Sequence, residues 1–193
     1  MVRILPCGDL AVLLDCASLD EAQRWFAALD GHADVVLGAR TVLVRGDVPR
    51  VRALIDATSP NHVPTTIRET VEIPVTYDGD DLDDVTSLTG LTTDQLVAAH
   101  TGTPWTVAFG GFAPGFSYLV GGDPQLDVPR RLSPRTRVPA GAVGLAGGFS
   151  GVYPRESPGG WQLIGHTDLT LWDSSRHPPA LLRPGALVRF VVV

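Results

Sequence analysis

The chain has 193 residues, enough for one large domain or two small ones, and its composition, 44% hydrophobic and 19% charged with 21 glycines and 16 prolines, describes a folded, turn-rich protein. A net charge of -6 argues against a general nucleic-acid or anionic-membrane surface, leaving room only for a local basic patch. All fifteen basic residues are arginine, and the missing lysine excludes a P-loop, a Schiff-base lysine and a biotin-carrying lysine, so any ATP or biotin chemistry must be completed elsewhere.

Val2 to Leu5 and Ala11 to Leu14 read as extended, broken by a turn at Pro6-Cys7-Gly8-Asp9. Cys7 and Cys16 lack CxxC spacing and read as reduced thiols, not as a metal site or a disulfide. Asp9 and Asp15 interrupt the apolar stretches, so neither a signal peptide nor a membrane span is legible, and a cytoplasmic protein is expected. Ser18-Leu19-Asp20-Glu21 fits a capping box, with Leu19, Ala22, Trp25, Phe26 and Leu29 on one helical face before Gly31. Val35–Leu37 and Thr41–Val44 suggest strands, Pro49–Ala57 a second helix, and Thr66–Tyr77 another extended run. The order β-α-β-β-α-β is the ferredoxin-like pattern.

After Tyr77 the aspartates 78, 80, 81, 83 and 84 crowd one stretch, read as a solvated linker. A calcium loop fails there, because Gly79 holds the second position and Thr89 the twelfth, where a bidentate glutamate belongs. A short helix is expected from Thr93 to His100. From Trp105 onward, short apolar runs alternate with Gly and Pro: Thr106–Phe109, Ala142–Ala146, Gln162–Ile164, Leu169–Trp172 and Leu187–Val193. Many short strands joined by turns imply a β-barrel or sandwich. The expected architecture is α+β, with a small α/β domain over residues 1–70 and a β-barrel domain over residues 71–193.

Three stretches carry candidate chemistry. GGFAPGFSYLVGG, 110–122, surrounds Phe112, Phe116 and Tyr118 with Gly and Pro, as a loop at the barrel mouth would, lining a groove or meeting another polypeptide. PRRLSPRTRVPAG, 129–141, holds Arg130, Arg131, Arg135 and Arg137 in a proline-stiffened frame suited to an anionic ligand. In ESPGGWQLIGHTDLTLWD, 156–173, Gly159 and Gly160 allow close backbone approach beside Trp161, with Gln162, His166 and Thr167 adding polar groups, while Trp172 is expected to fill the barrel.

The histidines 32, 62, 100, 166 and 177 form no HxH or HExxH pair, so no metal is expected. Ser117 and Ser150 do not complete GxSxG. His100 is a candidate proton carrier, and its place at a helix C-terminus is also an ordinary structural one.

Taken in order, GGFAPGFSYL, PRRLSPRTRVPAGAVGLAGG and YPRESPGGWQLIGHT make the chain resemble the family of the 5-oxoprolinase B subunit, also called allophanate hydrolase subunit 1, which includes the sporulation-kinase inhibitor KipI and is related to carboxyltransferase subdomains C and D. The resemblance implies a small α/β domain followed by a cyclophilin-like barrel, and ATP used by the complex, not necessarily bound by this chain. It implies a partner, the C subunit (allophanate hydrolase subunit 2), and in the oxoprolinase case a third, the A subunit, together opening the lactam of 5-oxoproline to glutamate. By position it marks Phe112, Pro114, Phe116, Tyr118, Arg130, Arg135, Pro139, Gly159 and Trp161, and His166 stands where relatives carry arginine. Ala142 and Phe149 likewise replace a serine and a glutamine. Carboxyl transfer to urea, with carboxybiotin from another chain, and inhibition of a sensor histidine kinase are the other activities the resemblance allows.

Overall fold

The structure, a computed structural model, describes residues 2–60 and 69–193, so His62 and the first three residues of the run expected at 66–77 lie outside it. The chain forms two compact units, Met1–Ile67 and Arg68–Val193.

In the first unit β1 (Arg3–Pro6), β2 (Ala11–Asp15), β3 (Asp34–Leu37) and β4 (Thr41–Arg45) make an antiparallel sheet of order β1-β2-β4-β3. Its helices are α1 (Leu19–Leu29) and α2 (Val48–Ala57). Alternation puts Val12, Leu14, Val42 and Val44 in the core, against Ala22, Trp25 and Leu29 of α1 and Val51 and Ile55 of α2. The Ser18 hydroxyl accepts the Glu21 amide at 3.1 Å, as the capping pattern predicts. Glu21 reaches back one residue further than a capping box, to the Ala17 amide at 2.7 Å. The strand that closes the expected ferredoxin-like order, however, belongs to the other unit, and the hairpin strand β1 holds the sheet edge beside β2. A hairpin between sequence neighbours pairs at little loop-closure cost, whereas the distant run carries Ile73 and Val75 into a different core.

The second unit begins with that strand, β5 (Thr70–Val75), followed by α3 (Leu82–Thr89), α4 (Thr93–Gly102), β6 (Trp105–Gly110) and β7 (Ser117–Val120). A 3₁₀ turn at Pro124–Leu126 leads to β8 (Arg135–Val138), β9 (Ala142–Ala146), β10 (Phe149–Val152), β11 (Ser157–Gly159), β12 (Gln162–His166) and β13 (Leu187–Val192). Seven strands form one sheet, β12-β9-β10-β7-β6-β13-β5, and β8 and β11 form a separate hairpin. Beyond β5 and at the end of β12, Thr76 and His166 exchange both backbone hydrogen bonds at 2.9 Å, joining the two sheet edges into a barrel-like closure. On one face of the sheet Val107, Leu119, Val143, Leu145, Ile164, Val188 and Phe190 build the main core. On the other, Phe116, Ala142, Ala146, Trp161 and Leu163 build a smaller one.

Two sequence expectations fail here. The acidic stretch is not a linker: α3 starts within it, with Asp83 and Asp84 in the first turn and Gly90 at φ 74° ending the helix. Leu169–Trp172 is not a strand of the barrel; Trp172 is 40% exposed, and the loop is held by Arg176, whose guanidinium donates to the carbonyls of Leu171 and Pro179 at 3.3 and 3.0 Å. The helix expected from Thr93 forms, with a complete capping box between Thr92 and Gln95.

Candidate functional site

The aspartate run is the closing seam of the second unit. From the Thr76–His166 pair the chain follows β12 backwards: the Asp81 amide donates to the Leu163 carbonyl at 3.0 Å, and the Asp81 carboxylate accepts the Leu163 amide at 2.7 Å. Between them Gly79 lies so close that a Cβ would stand 2.3 Å from the Leu163 carbonyl oxygen and 2.5 Å from the Gly165 nitrogen, so only glycine fits.

Asp81 is 1% exposed, and a buried carboxylate must be paired. Arg135 supplies a two-pronged bond, Nη1 at 2.7 Å and Nη2 at 2.8 Å, and Arg131 a third contact through Nη1. Burial, the largest influence, pushes the Asp81 pKa up, but the Arg135 and Leu163 hydrogen bonds and the charges of Arg135 and Arg131 outweigh it and leave it below the ordinary value. Arg135, expected to serve substrate or catalysis, is therefore committed to its own protein, as is Arg131. Arg137 pairs with Glu156 at 2.7 Å. Arg130 is exposed and, among the described residues, makes no ion pair.

The GFAPGF loop consists of two turns. The Ala113 amide donates to the Gly111 carbonyl at 2.7 Å, closing a γ-turn around Phe112, whose φ is 67°. The Phe116 amide donates to the Ala113 carbonyl at 2.9 Å across Pro114-Gly115, with Gly115 at φ 83°, as a type II turn requires. Phe112 is 58% exposed and Pro114 is exposed, whereas Phe116 is buried at 2%. Phe116 and Trp161 (6% exposed) meet edge-on at 5.3 Å, and Tyr118, half-buried, stacks on Phe109 at 4.5 Å. Of the expected contact residues, Phe116 and Trp161 are thus the floor beneath the loop, not its surface. Phe149 fills this aromatic cluster by packing edge-on to Tyr118 at 5.5 Å, and Ala142 is buried in the same core.

Tyr153 connects the aromatic loop to the arginine segment. Its ring meets Phe116 at 5.4 Å and Phe112 at 6.1 Å, and its hydroxyl lies against Gly159, where a Cβ would stand 2.4 Å away. Burial raises the Tyr153 pKa, with a hydrogen bond from the Trp161 backbone and the charge of Arg130 pulling it back. A Cβ at the next residue, Gly160, would be 3.6 Å from Arg130 Nη2, which places that guanidinium beside the glycine pair. Phe112, Tyr153, Gly159 and Arg130 therefore form one continuous stretch of surface and support. Tyr153 is not among the contact residues expected from the sequence; its signal is its place in the YPRESPGG motif.

The remaining candidates are elsewhere or structural. Pro139 is exposed and opens a turn closed by the Ala142 amide at 3.3 Å, in which the Gly141 carbonyl (φ 82°) accepts the Thr167 amide at 2.9 Å. His166 is exposed at the seam, its Nδ1 2.7 Å from the Asp78 carboxylate. His100, the candidate proton carrier, is 0% exposed, with the Tyr77 hydroxyl 2.7 Å from Nδ1, the Ser150 hydroxyl 2.9 Å from Nε2, and Phe190 stacked at 4.2 Å, so it lies in the core and not at the surface. Burial pushes its pKa down to about 3, so the ring is neutral. A cleft of about 230 Å³ lined by Trp105, Gly122, Asp123, Leu126 and Asp127 contains none of the expected residues. Among the described residues no group of three metal-ligating side chains converges and no helix is long and apolar enough to cross a membrane.

Comparison with known proteins agrees with the three motifs. Residues 2–182 match the model of the carboxyltransferase domain, subdomain C and D. The chain is 52% identical to the 5-oxoprolinase B subunit of Escherichia coli O157:H7 over 124 residues, 63% of this chain and 57% of that protein. Against the 5-oxoprolinase B subunit of Haemophilus influenzae it is 40% identical over 208 aligned positions, covering 99% of this chain and 98% of the relative. The crystal structure of TTHA0988 superposes with a TM-score of 0.82 at 33% identity, covering all of this chain and 41% of that one. The alignments thus span little more than half of the E. coli relative and less than half of TTHA0988, but nearly all of the H. influenzae protein. The chain belongs to the carboxyltransferase subdomain C and D family, within the group of 5-oxoprolinase B subunits.

Proposed function

We propose that the chain is one component of an ATP-dependent hydrolase of the 5-oxoprolinase type, which opens 5-oxoproline to glutamate with consumption of ATP and water and is inactive without its partner subunits. The observation that carries this reading is the 40% identity with a 5-oxoprolinase B subunit over 98% of that protein. The reading takes the first unit as a ferredoxin-like domain whose edge strand has been exchanged, and the second as a cyclophilin-like barrel. ATP is used by the assembly; without lysine this chain offers no P-loop for it. The long remainder of TTHA0988 outside the matched 41% supports a fold that works beside further polypeptide, here homologues of the C subunit and the A subunit.

In this role Arg130 is the cation available to a substrate carboxylate, because Arg131 and Arg135 are spent on Asp81. Phe112, seated on the buried Tyr153, offers apolar surface to a five-membered ring. Reconstitution with homologues of the A and C subunits tests the assignment: ATP-dependent glutamate formation is expected, with Arg130→Ala raising KM for 5-oxoproline at least tenfold without loss of assembly. Unchanged KM would remove Arg130 from the site, and absence of lactam turnover in the complete assembly would refute the function.

A further inference from the structure

We propose that the face of the first unit's sheet turned away from α1 and α2 is a self-association surface, on which a second copy of this chain packs its own sheet across a two-fold axis. The inference stands apart from the hydrolase reading.

The register puts four aliphatic residues in one row. Leu5 lies opposite Leu13, Leu13 opposite Leu43, and Leu43 opposite Val36, so the row crosses all four strands in the order β1-β2-β4-β3. Residues paired across antiparallel strands point to the same side, and Val12, Leu14, Val42 and Val44, each one position away, are buried toward the helices. The row therefore takes the other side. It is not a second core, because Leu5 is 38% exposed, Val36 44%, and Leu13 and Leu43 between them are half-buried. An apolar row of this kind on one face of a small sheet is what a β-sandwich covers with a second sheet.

The flanking rows select what covers it. Two positions to one side stand Arg3, Asp15 and Thr41, with Gly38 bonded to Thr41; two positions to the other stand Ala11, Arg45 and Asp34, with Cys7 bonded to Ala11. Arg3 is paired with Asp15, and Arg45 with Asp34 at 3.4 Å, so the charges on this face cancel within the chain. A charged segment of another polypeptide finds no unpaired ion there to recognise. Two copies of a chain at -6 repel each other in general, and a neutral face is where they can meet. The pattern is also self-complementary. An axis parallel to the strands, between β2 and β4, lays Leu13 on the partner's Leu43 and Leu5 on the partner's Val36. The same operation sets Arg3 over the partner's Gly38, Asp15 over the partner's Thr41, Arg45 over the partner's Ala11 and Asp34 over the partner's Cys7, so no like charges face each other. Four strands about 4.8 Å apart and about five residues long span roughly 300 Å². A standard interface takes about 800 Å² from each partner, so this dimer is weak and reversible.

Sedimentation velocity of the full chain from about 5 to 500 µM, a range suited to a small interface, reads the association directly. Leu5→Lys and Val36→Lys place a charge at exposed positions on the two edge strands, where lysine is well tolerated. Leu88→Lys makes the same charge change on α3 of the second unit, at a residue 51% exposed, and serves as control. The expected result is a shift from monomer to dimer with concentration for wild type and Leu88→Lys, kept in high salt, and a dissociation constant at least tenfold higher for Leu5→Lys and Val36→Lys. Circular dichroism confirms that each variant is folded, and because the two sit on opposite edges either one is decisive alone. A wild type that stays monomeric throughout, association unchanged in the folded edge variants, or a dimer that dissolves in high salt would overturn the proposal.

Discussion

Arg135 grips Asp81 with two parallel hydrogen bonds, 2.7 and 2.8 Å, fifty-four positions apart in the chain. The pair fastens the arginine segment to the seam that closes the second unit, since the same carboxylate holds the Leu163 amide of the edge strand. Without Arg135 the buried Asp81 keeps only Arg131, and without Asp81 the two arginines keep only longer contacts to the exposed Asp80 and Asp84, so breaking the pair costs up to about 3–5 kcal/mol. Asp81→Ala and Arg135→Ala are therefore expected to destabilise, with Asp81→Ala the worse because it takes the near partner from both Arg135 and Arg131 and the acceptor from the Leu163 amide. Urea denaturation checks this. Loss of activity in Arg135→Ala accordingly reports on the fold before it reports on substrate.

Acid should weaken the same seam. The Asp81 pKa lies below its unfolded value, so the folded state resists protonation and the stability it confers is full above the ordinary carboxylate pKa of 3.8. That contribution is lost as pH falls through the depressed folded value. Asp81→Asn should flatten the acid limb of a stability curve below about pH 4. Retention of the full acid limb in Asp81→Asn would show that the carboxylate is not what titrates.

His100 gives a second pH dependence in a different window. Its pKa falls from 6.5 to about 3 on folding, so between those values the unfolded chain binds a proton that the folded one refuses. Stability should thus rise with pH across that window and level off above it. His100→Gln should abolish the slope while lowering stability at neutral pH, because Tyr77 and Ser150 lose their shared partner. Equilibrium unfolding from pH 4 to pH 8 reads both effects.

How much of this was legible beforehand depends on what each residue answers to. α1 and α4 were readable because Ser18 and Thr92 cap them locally, and in α1 the apolar residues also recur at helical spacing. β5 was readable as a strand but not as a member of the second sheet, since its partner β13 lies more than a hundred residues away and pairing is decided by which core takes Ile73 and Val75. Among the site residues, an irregular loop was foreseeable from the Gly-Pro frame, but not that Phe112 stays exposed while Phe116 is buried. The division of labour among Arg130, Arg131 and Arg135 was not, because it turns on one aspartate of five being buried, and nothing in a run of acids marks which one folds inward.

The seam itself can be tested at two adjacent positions that should answer oppositely. Gly79→Ala places a methyl within 2.5 Å of backbone atoms of Leu163, Ile164 and Gly165, none of which can move without breaking the edge strand. It should cost about 3 kcal/mol or more and speed amide hydrogen exchange at Thr76, Asp81, Leu163 and His166, whose hydrogen bonds close the sheet. Asp78→Ala removes only the side-chain contact to His166 between two exposed groups, a kind of pair worth about 0–1 kcal/mol. The backbone exchange between Thr76 and His166 remains, so exchange protection there should be kept. If Asp78→Ala opened the seam as Gly79→Ala does, closure would rest on the side-chain pair and not on the fit of the backbone.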